Sequence, residues 1–106
     1  MSKYTKTSTS SPVTLLTSST PEDTGIINSV HITNESVDTS NTVSLSLSAV
    51  DSSVSLDGVY IIKNVNIPFG TTLVLDSVPN FNIQQYNLKL DCTTASAGSG
   101  LTVIIN

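Results

Sequence analysis

The chain contains no tryptophan, one cysteine, one histidine and four basic residues, and only 11% of its 106 positions carry charge. Each scarcity removes a class of function. A lone Cys92 rules out an internal disulfide and any site built from several cysteines. Lys3, Lys6, Lys63 and Lys89 are too few to make the stripe that neutralises a phosphate backbone, and the net charge of −4 opposes binding to nucleic acid. No apolar run approaches the roughly 18 residues of a membrane-spanning helix. The first residues lack the apolar core of a signal peptide, so synthesis in a cytoplasm is expected.

Serine and threonine take the place of charge, filling roughly a third of the chain. Threonine suits strands because its branched Cβ packs on a pleated surface, and serine suits turns and outward strand positions. A hydroxyl-rich surface loses less on desolvation than a charged one, which favours lateral contacts between proteins. One domain of ordinary size is expected.

The apolar pattern repeats every second residue. Thr42–Val50 shows it most cleanly, with Val43, Leu45, Leu47 and Ala49 on one face and Thr42, Ser44, Ser46 and Ser48 on the other. A helix would scatter those residues around its circumference. Further strands are predicted at Val13–Thr17, Gly25–Asn34 (Ile26, Val30 and Ile32 inward), Val59–Val65, Thr71–Leu75, Gln85–Cys92 and Leu101–Ile105. A minor edge strand around Val54 and Leu56 is also expected. Pro68 cannot donate a ladder hydrogen bond, so Asn66–Gly70 reads as a break. The nearly all-apolar final strand should lie centrally in its sheet or be covered on both faces. Cys92 continues the row Tyr86, Leu88, Leu90 and reads as a small core residue.

About seven or eight short strands with turns between them give an all-β, single-domain antiparallel β-sandwich over residues 12–106, of jelly-roll or immunoglobulin-like connectivity. Residues 1–11 are polar and read as a flexible N-terminal arm, either a frayed terminus or an extended segment that orders against a neighbouring subunit with Tyr4 as its anchor.

The inventory for catalysis is thin, and no enzyme activity is expected. His31 shares a strand face with Ser29, but a Ser–His pair also requires an orienting acid and an oxyanion hole. Glu22, Asp23, Glu35, Asp38, Asp51, Asp57, Asp76 and Asp91 fall singly or in pairs in turns and at strand ends. Asp51 and Asp57 flank DSSVSLDG, which lacks the spacing and the bidentate glutamate of a calcium loop. Gly98-Ser99-Gly100 precedes a strand, not the helix of a phosphate loop. Asn34-Glu35-Ser36 matches a glycosylation acceptor, a coincidence without a secretion signal. No cofactor and no metal are expected.

Three pieces occur in a particular order. Ile27, Ser29, Val30, Ile32 and Asn34 form a strand signature; Tyr60, Val65, Ile67, Pro68, Gly70 and Leu73 form a second stretch; Leu88–Ile105 closes with a strand, a small-residue loop and a terminal strand. From Val13 to Asn106 this order resembles small β-sandwich virion proteins of tailed bacteriophages, notably those of marine and cyanobacterial hosts. The turn usually written Pro-Ala-Gly reads Pro68-Phe69-Gly70 here, which leaves Phe69 either covered by a neighbour or capping its own core. The resemblance implies a non-enzymatic part of the particle: capsid decoration, neck or tail. Its partners would be other virion proteins and further copies of itself, a homo-oligomer, with the virion as its location. Tyr4, Phe69 and Phe81 are the candidate interface residues. The alternative is a module that binds carbohydrate or another component of a host surface, since sandwich loops often carry such sites.

Overall fold

The computed structural model describes residues 2–7, 12–50, 59–92 and 100–106. The described residues form eight strands: β1 Lys3–Thr7, β2 Val13–Leu16, β3 Val30–Asn34, β4 Asn41–Ala49, β5 Val59–Ile67, β6 Thr72–Leu75, β7 Tyr86–Cys92 and β8 Leu101–Ile105. They form two four-stranded antiparallel sheets, sheet I in the order β1-β8-β3-β6 and sheet II in the order β2-β7-β4-β5. The pairs β1·β8, β2·β7, β3·β6 and β4·β5 are nested, as in one long hairpin folded at the β4–β5 connection. Rolling that hairpin adds β3·β8 and β4·β7. This is jelly-roll connectivity, which decides between the two sandwich topologies left open by the sequence.

The core lies between the sheets, where the period-two pattern requires it. Val30, Ile32, Leu101, Val103 and Ile105 of sheet I meet Val43, Leu45, Ile67, Leu88, Leu90 and Cys92 of sheet II in one buried cluster. The last strand is interior to its sheet, between β1 and β3. Cys92 is buried as expected, and burial pushes its thiol pKa above the ordinary value, with the charge of neighbouring Asp91 acting in the same direction.

Several boundaries differ from the sequence reading, each for a physical reason. Over Gly25–Asn34 the strand begins only at Val30. The Thr24 hydroxyl closes a local turn with the backbone of Ile26, and the alternation slips, so that Ile26 is exposed and Ile27 buried. The fifth strand does not break at Asn66 but continues to Ile67, where Pro68 ends the ladder. The β2 register shifts between Thr14 and Leu16, and this bulge turns both Leu15 and Leu16 into the core. Opposite Ser44, β5 bulges with Asn64 at φ 53°, and the Asn64 N–H donates to the Ser44 hydroxyl at 2.9 Å.

The stretch read as an arm contributes a strand over its described part. Lys3–Thr7 pairs along the whole of β8, from Lys3↔Ile105 to Thr7↔Leu101, and is the edge of sheet I. Its polar composition hid this, because an edge strand can keep most of its side chains in water. Val54, Leu56 and the minor strand expected there lie outside the described residues, as do Asp51, Asp57, Gly98 and Ser99.

A candidate interaction face on sheet I

The register of sheet I fixes what its outer face displays. Leu101, Val103 and Ile105 point inward, so Thr102 and Ile104 point out, and the same parity runs through β1, β3 and β6. Two rows therefore cross all four strands. One is Tyr4–Ile104–His31–Val74, and the other is Lys6–Thr102–Thr33–Thr72. Directly opposed residues on a face have Cβ atoms about 4.5–5.5 Å apart, so each row is a contiguous stripe.

The first row is unusual for a solvent-facing surface. Tyr4 is 73% exposed and Val74 45% exposed, with Ile104 and His31 half-buried between them. The second row is tied together by polar contacts. The Thr33 and Thr72 hydroxyls are 2.8 Å apart, the Thr102 hydroxyl donates to Glu35, and Lys6 Nζ lies 3.1 Å from Glu35 Oε2. An apolar stripe thus runs beside a hydroxyl stripe whose one ion pair is internally neutralised. Isolated exposed apolar residues need no explanation, but a stripe across a whole sheet marks a surface suited to a partner.

The outer face of sheet II is different in kind. Thr42, Ser44, Ser46 and Ser48 of β4 alternate with inward residues, next to Asn87, Lys89 and Asp91 of β7. Its one large aromatic is Tyr60, opposite Ser46 and 49% exposed, with Lys63 Nζ 4.9 Å from the ring centroid.

At one end of the sandwich a single buried side chain organises two connections. Asn34 is 0% exposed; its Nδ2 donates to Thr39 O at 2.9 Å and Ile67 O at 3.0 Å, and its Oδ1 accepts from Ser36 N at 3.0 Å. Its backbone N–H donates to Thr71 O and its carbonyl accepts from Gly70 N–H, each at 2.9 Å. The β3–β4 loop and the Pro68-Phe69-Gly70 turn are thereby held side by side, and Gly70 takes the left-handed φ of 71° that this turn needs. Asn34 is thus fully engaged inside the fold, which leaves no amide free for a glycan at Asn34-Glu35-Ser36.

The three predicted interface aromatics are not brought together. Tyr4 stands on the open face of sheet I. Phe69, 52% exposed, tips the turn at the end organised by Asn34. Phe81 belongs to the β6–β7 connection at the opposite end, half-buried against the core, with its N–H donating to Gly25 O at 3.0 Å. The chain approaches so closely there that a Cβ on Gly25 would overlap the Phe81 carbonyl. Ile104 and Val74 were overlooked as surface residues, although parity in LTVII and TLVL could have marked them: with Leu101, Val103 and Ile105 inside, Ile104 must face out.

Among the described residues the acids form no convergent pair. Asp23 is buried and accepts from Lys3 Nζ at 2.8 and 3.0 Å and from Thr17 N–H at 3.1 Å, pinning β1 to the β2–β3 connection. Asp38 accepts from the Ser36 and Thr39 hydroxyls within its own loop. Among the described residues no three His, Cys, Asp or Glu side chains gather where they could hold a metal ion.

No known family, curated protein or solved structure matches the chain. What bears on function is therefore the chemistry of its own surface.

Proposed function

We propose that this protein is a non-catalytic structural subunit of a bacteriophage particle, a capsid decoration, neck or tail component, that joins its neighbours through the outer face of sheet I. The observation that carries the reading is the Tyr4–Ile104–His31–Val74 stripe, a largely apolar band, open to solvent at both ends, beside a row of threonine hydroxyls and the Lys6–Glu35 pair. Low charge supports it, since a hydroxyl-rich interface avoids the cost of burying unpaired ions, and symmetry multiplies weak contacts. The order of the strand motifs, with its similarity to phage virion modules, points the same way. The test is the copy number of the chain in purified particles, measured by quantitative mass spectrometry. Hundreds of copies indicate a capsid or tail-tube decorator and about a dozen a neck or baseplate part; absence from the particle refutes the proposal.

One observation favours a second reading, a carbohydrate-binding module. Tyr60 stands half-exposed on sheet II beside Ser46, in a field of hydroxyl and amide groups suited to sugar recognition. A glycan screen without hits above background, or hits that survive Tyr60→Ala, would remove it.

A further inference from the structure

Edge strands of soluble proteins are normally guarded against pairing with another chain, by bulges, by shortness, by proline or by charge. Three of the four edges here are guarded. The second strand is four residues long and bulged; β5 carries two register shifts and runs into Pro68; β6 is four residues long and is followed by Asp76. The remaining edge, β1, pairs regularly with β8 over all five residues, and its other side meets no described strand.

Lysines commonly do the guarding, and β1 has two, but both are neutralised within the chain. Lys3 Nζ is held by the buried Asp23 carboxylate at 2.8 Å, and Lys6 Nζ lies 3.1 Å from Glu35. We infer that β1 pairs with β1 of a second copy, antiparallel about a two-fold axis at Thr5, so that the two copies share one continuous eight-stranded sheet.

The register follows from the residues. A two-fold axis perpendicular to the sheet keeps inner faces together, so inward residues Lys3, Thr5 and Thr7 must oppose one another, as must outward Tyr4 and Lys6. Centring on Thr5 pairs every residue of the strand. Thr5 faces Thr5 of the partner subunit, Lys3 faces the partner's Thr7, and Tyr4 faces the partner's Lys6. The last contact occurs twice and lays the methylene stem of a lysine against an aromatic ring on the outer face, while its ammonium stays with Glu35. Centring on Lys6 opposes like charges and pairs fewer residues, while centring on Tyr4 leaves Thr7 outside the ladder. The seam also joins the two outer faces of sheet I into one surface, so a dimer would present the stripe of the proposed assembly face twice. The pairing rests on that reading in no other respect and belongs to the purified chain.

The test is a cysteine scan of the two edges of sheet I. Residues opposed across an antiparallel seam have Cα atoms about 4.5–5.5 Å apart, within disulfide reach. Thr5→Cys should give a reducible covalent dimer under mild oxidation, while Val74→Cys, on β6 at the far edge, stays monomeric; native Cys92 is buried and does not compete. The unmodified chain should show a concentration-dependent monomer–dimer equilibrium by sedimentation. Tyr4→Ala should weaken that equilibrium roughly tenfold, because each dimer then forfeits both contacts between a Tyr4 ring and a Lys6 stem. Cross-linking at Val74→Cys equal to or above that at Thr5→Cys would overturn the proposal. So would an unmodified chain that remains monomeric at all concentrations. Neither outcome depends on whether the chain is found in a particle.

Discussion

Replacing Asn34 with alanine should be among the most damaging single substitutions in the molecule. The side chain makes three hydrogen bonds to backbone groups, two of them fully buried, at Ile67 O and Ser36 N, and one partly buried, at Thr39 O. A buried group left without a partner costs about 1–3 kcal/mol and a partly buried one less, because water can reach it. The sum is about 3 kcal/mol, a large part of the roughly 5–15 kcal/mol that holds such a domain folded. Equilibrium urea unfolding followed by far-UV circular dichroism should show the midpoint falling by about 2 M, for a slope near 1.5 kcal/mol/M. Asn34→Asp sharpens the test. It keeps an acceptor for Ser36 N–H but sets a carboxylate against two carbonyl oxygens, so it should be no more stable than Asn34→Ala at neutral pH. Burial and those carbonyls raise the folded-state pKa of the new carboxyl. Its cost is therefore smallest below the ordinary aspartate range and grows as pH rises. A loss under about 1 kcal/mol in Asn34→Ala, or a neutral-pH Asn34→Asp variant as stable as the native chain, would refute the role given to this residue.

Lys3→Ala leaves the Asp23 carboxylate buried without its cation, although the Thr17 N–H still donates to it; it should cost about 1–3 kcal/mol and raise hydrogen exchange in β1, measured by mass spectrometry. Removal of residues 1–7 should destabilise the domain, not merely weaken its assembly, because β8 then loses its outer neighbour; a truncated chain with an unchanged urea midpoint would contradict this. Gly25→Ala should lower stability by more than about 2 kcal/mol, since the Phe81 backbone must move to admit the methyl group. The Cys92 thiol, whose pKa is raised from the ordinary 9.0 by burial, stays protonated in the fold. Its contribution is therefore complete below pH 9.0 and is lost as pH rises through the folded-state value. The native chain should lose stability faster than Cys92→Ala on going to high pH, and native Cys92 should resist thiol reagents until the protein unfolds.

The architecture was legible wherever side-chain parity was strict. Val43, Leu45, Leu88 and Leu90 announced inward faces by alternation alone, and the apolar composition of the last strand suited the central position it takes. Alternation was misleading where a local hydrogen bond or bulge changed the parity, as at Ile26 and Ile27 beside the Thr24 turn and at Leu15 and Leu16 in β2. Polar β1 was hidden because an edge strand needs pairing but little burial. The order of strands was not legible at all, since jelly-roll and immunoglobulin-like chains share a one-dimensional pattern. The candidate face was half legible: Tyr4 and the outward row of His31 were visible, but the stripe exists only once the register aligns Tyr4, Ile104, His31 and Val74 across strands distant in sequence. Asn34 could not be recognised, because nothing in its neighbours shows that two connections close over it.

The most direct test of the central claim is hydroxyl-radical footprinting of the chain free in solution and within purified phage particles, reading Tyr4 on sheet I against Tyr60 on sheet II. Both rings are open to solvent in the free chain. Assembly through sheet I predicts that Tyr4 is protected several-fold in the particle while Tyr60 keeps its reactivity. Protection of Tyr60 with Tyr4 unchanged, or absence of the chain from the particle, would contradict it.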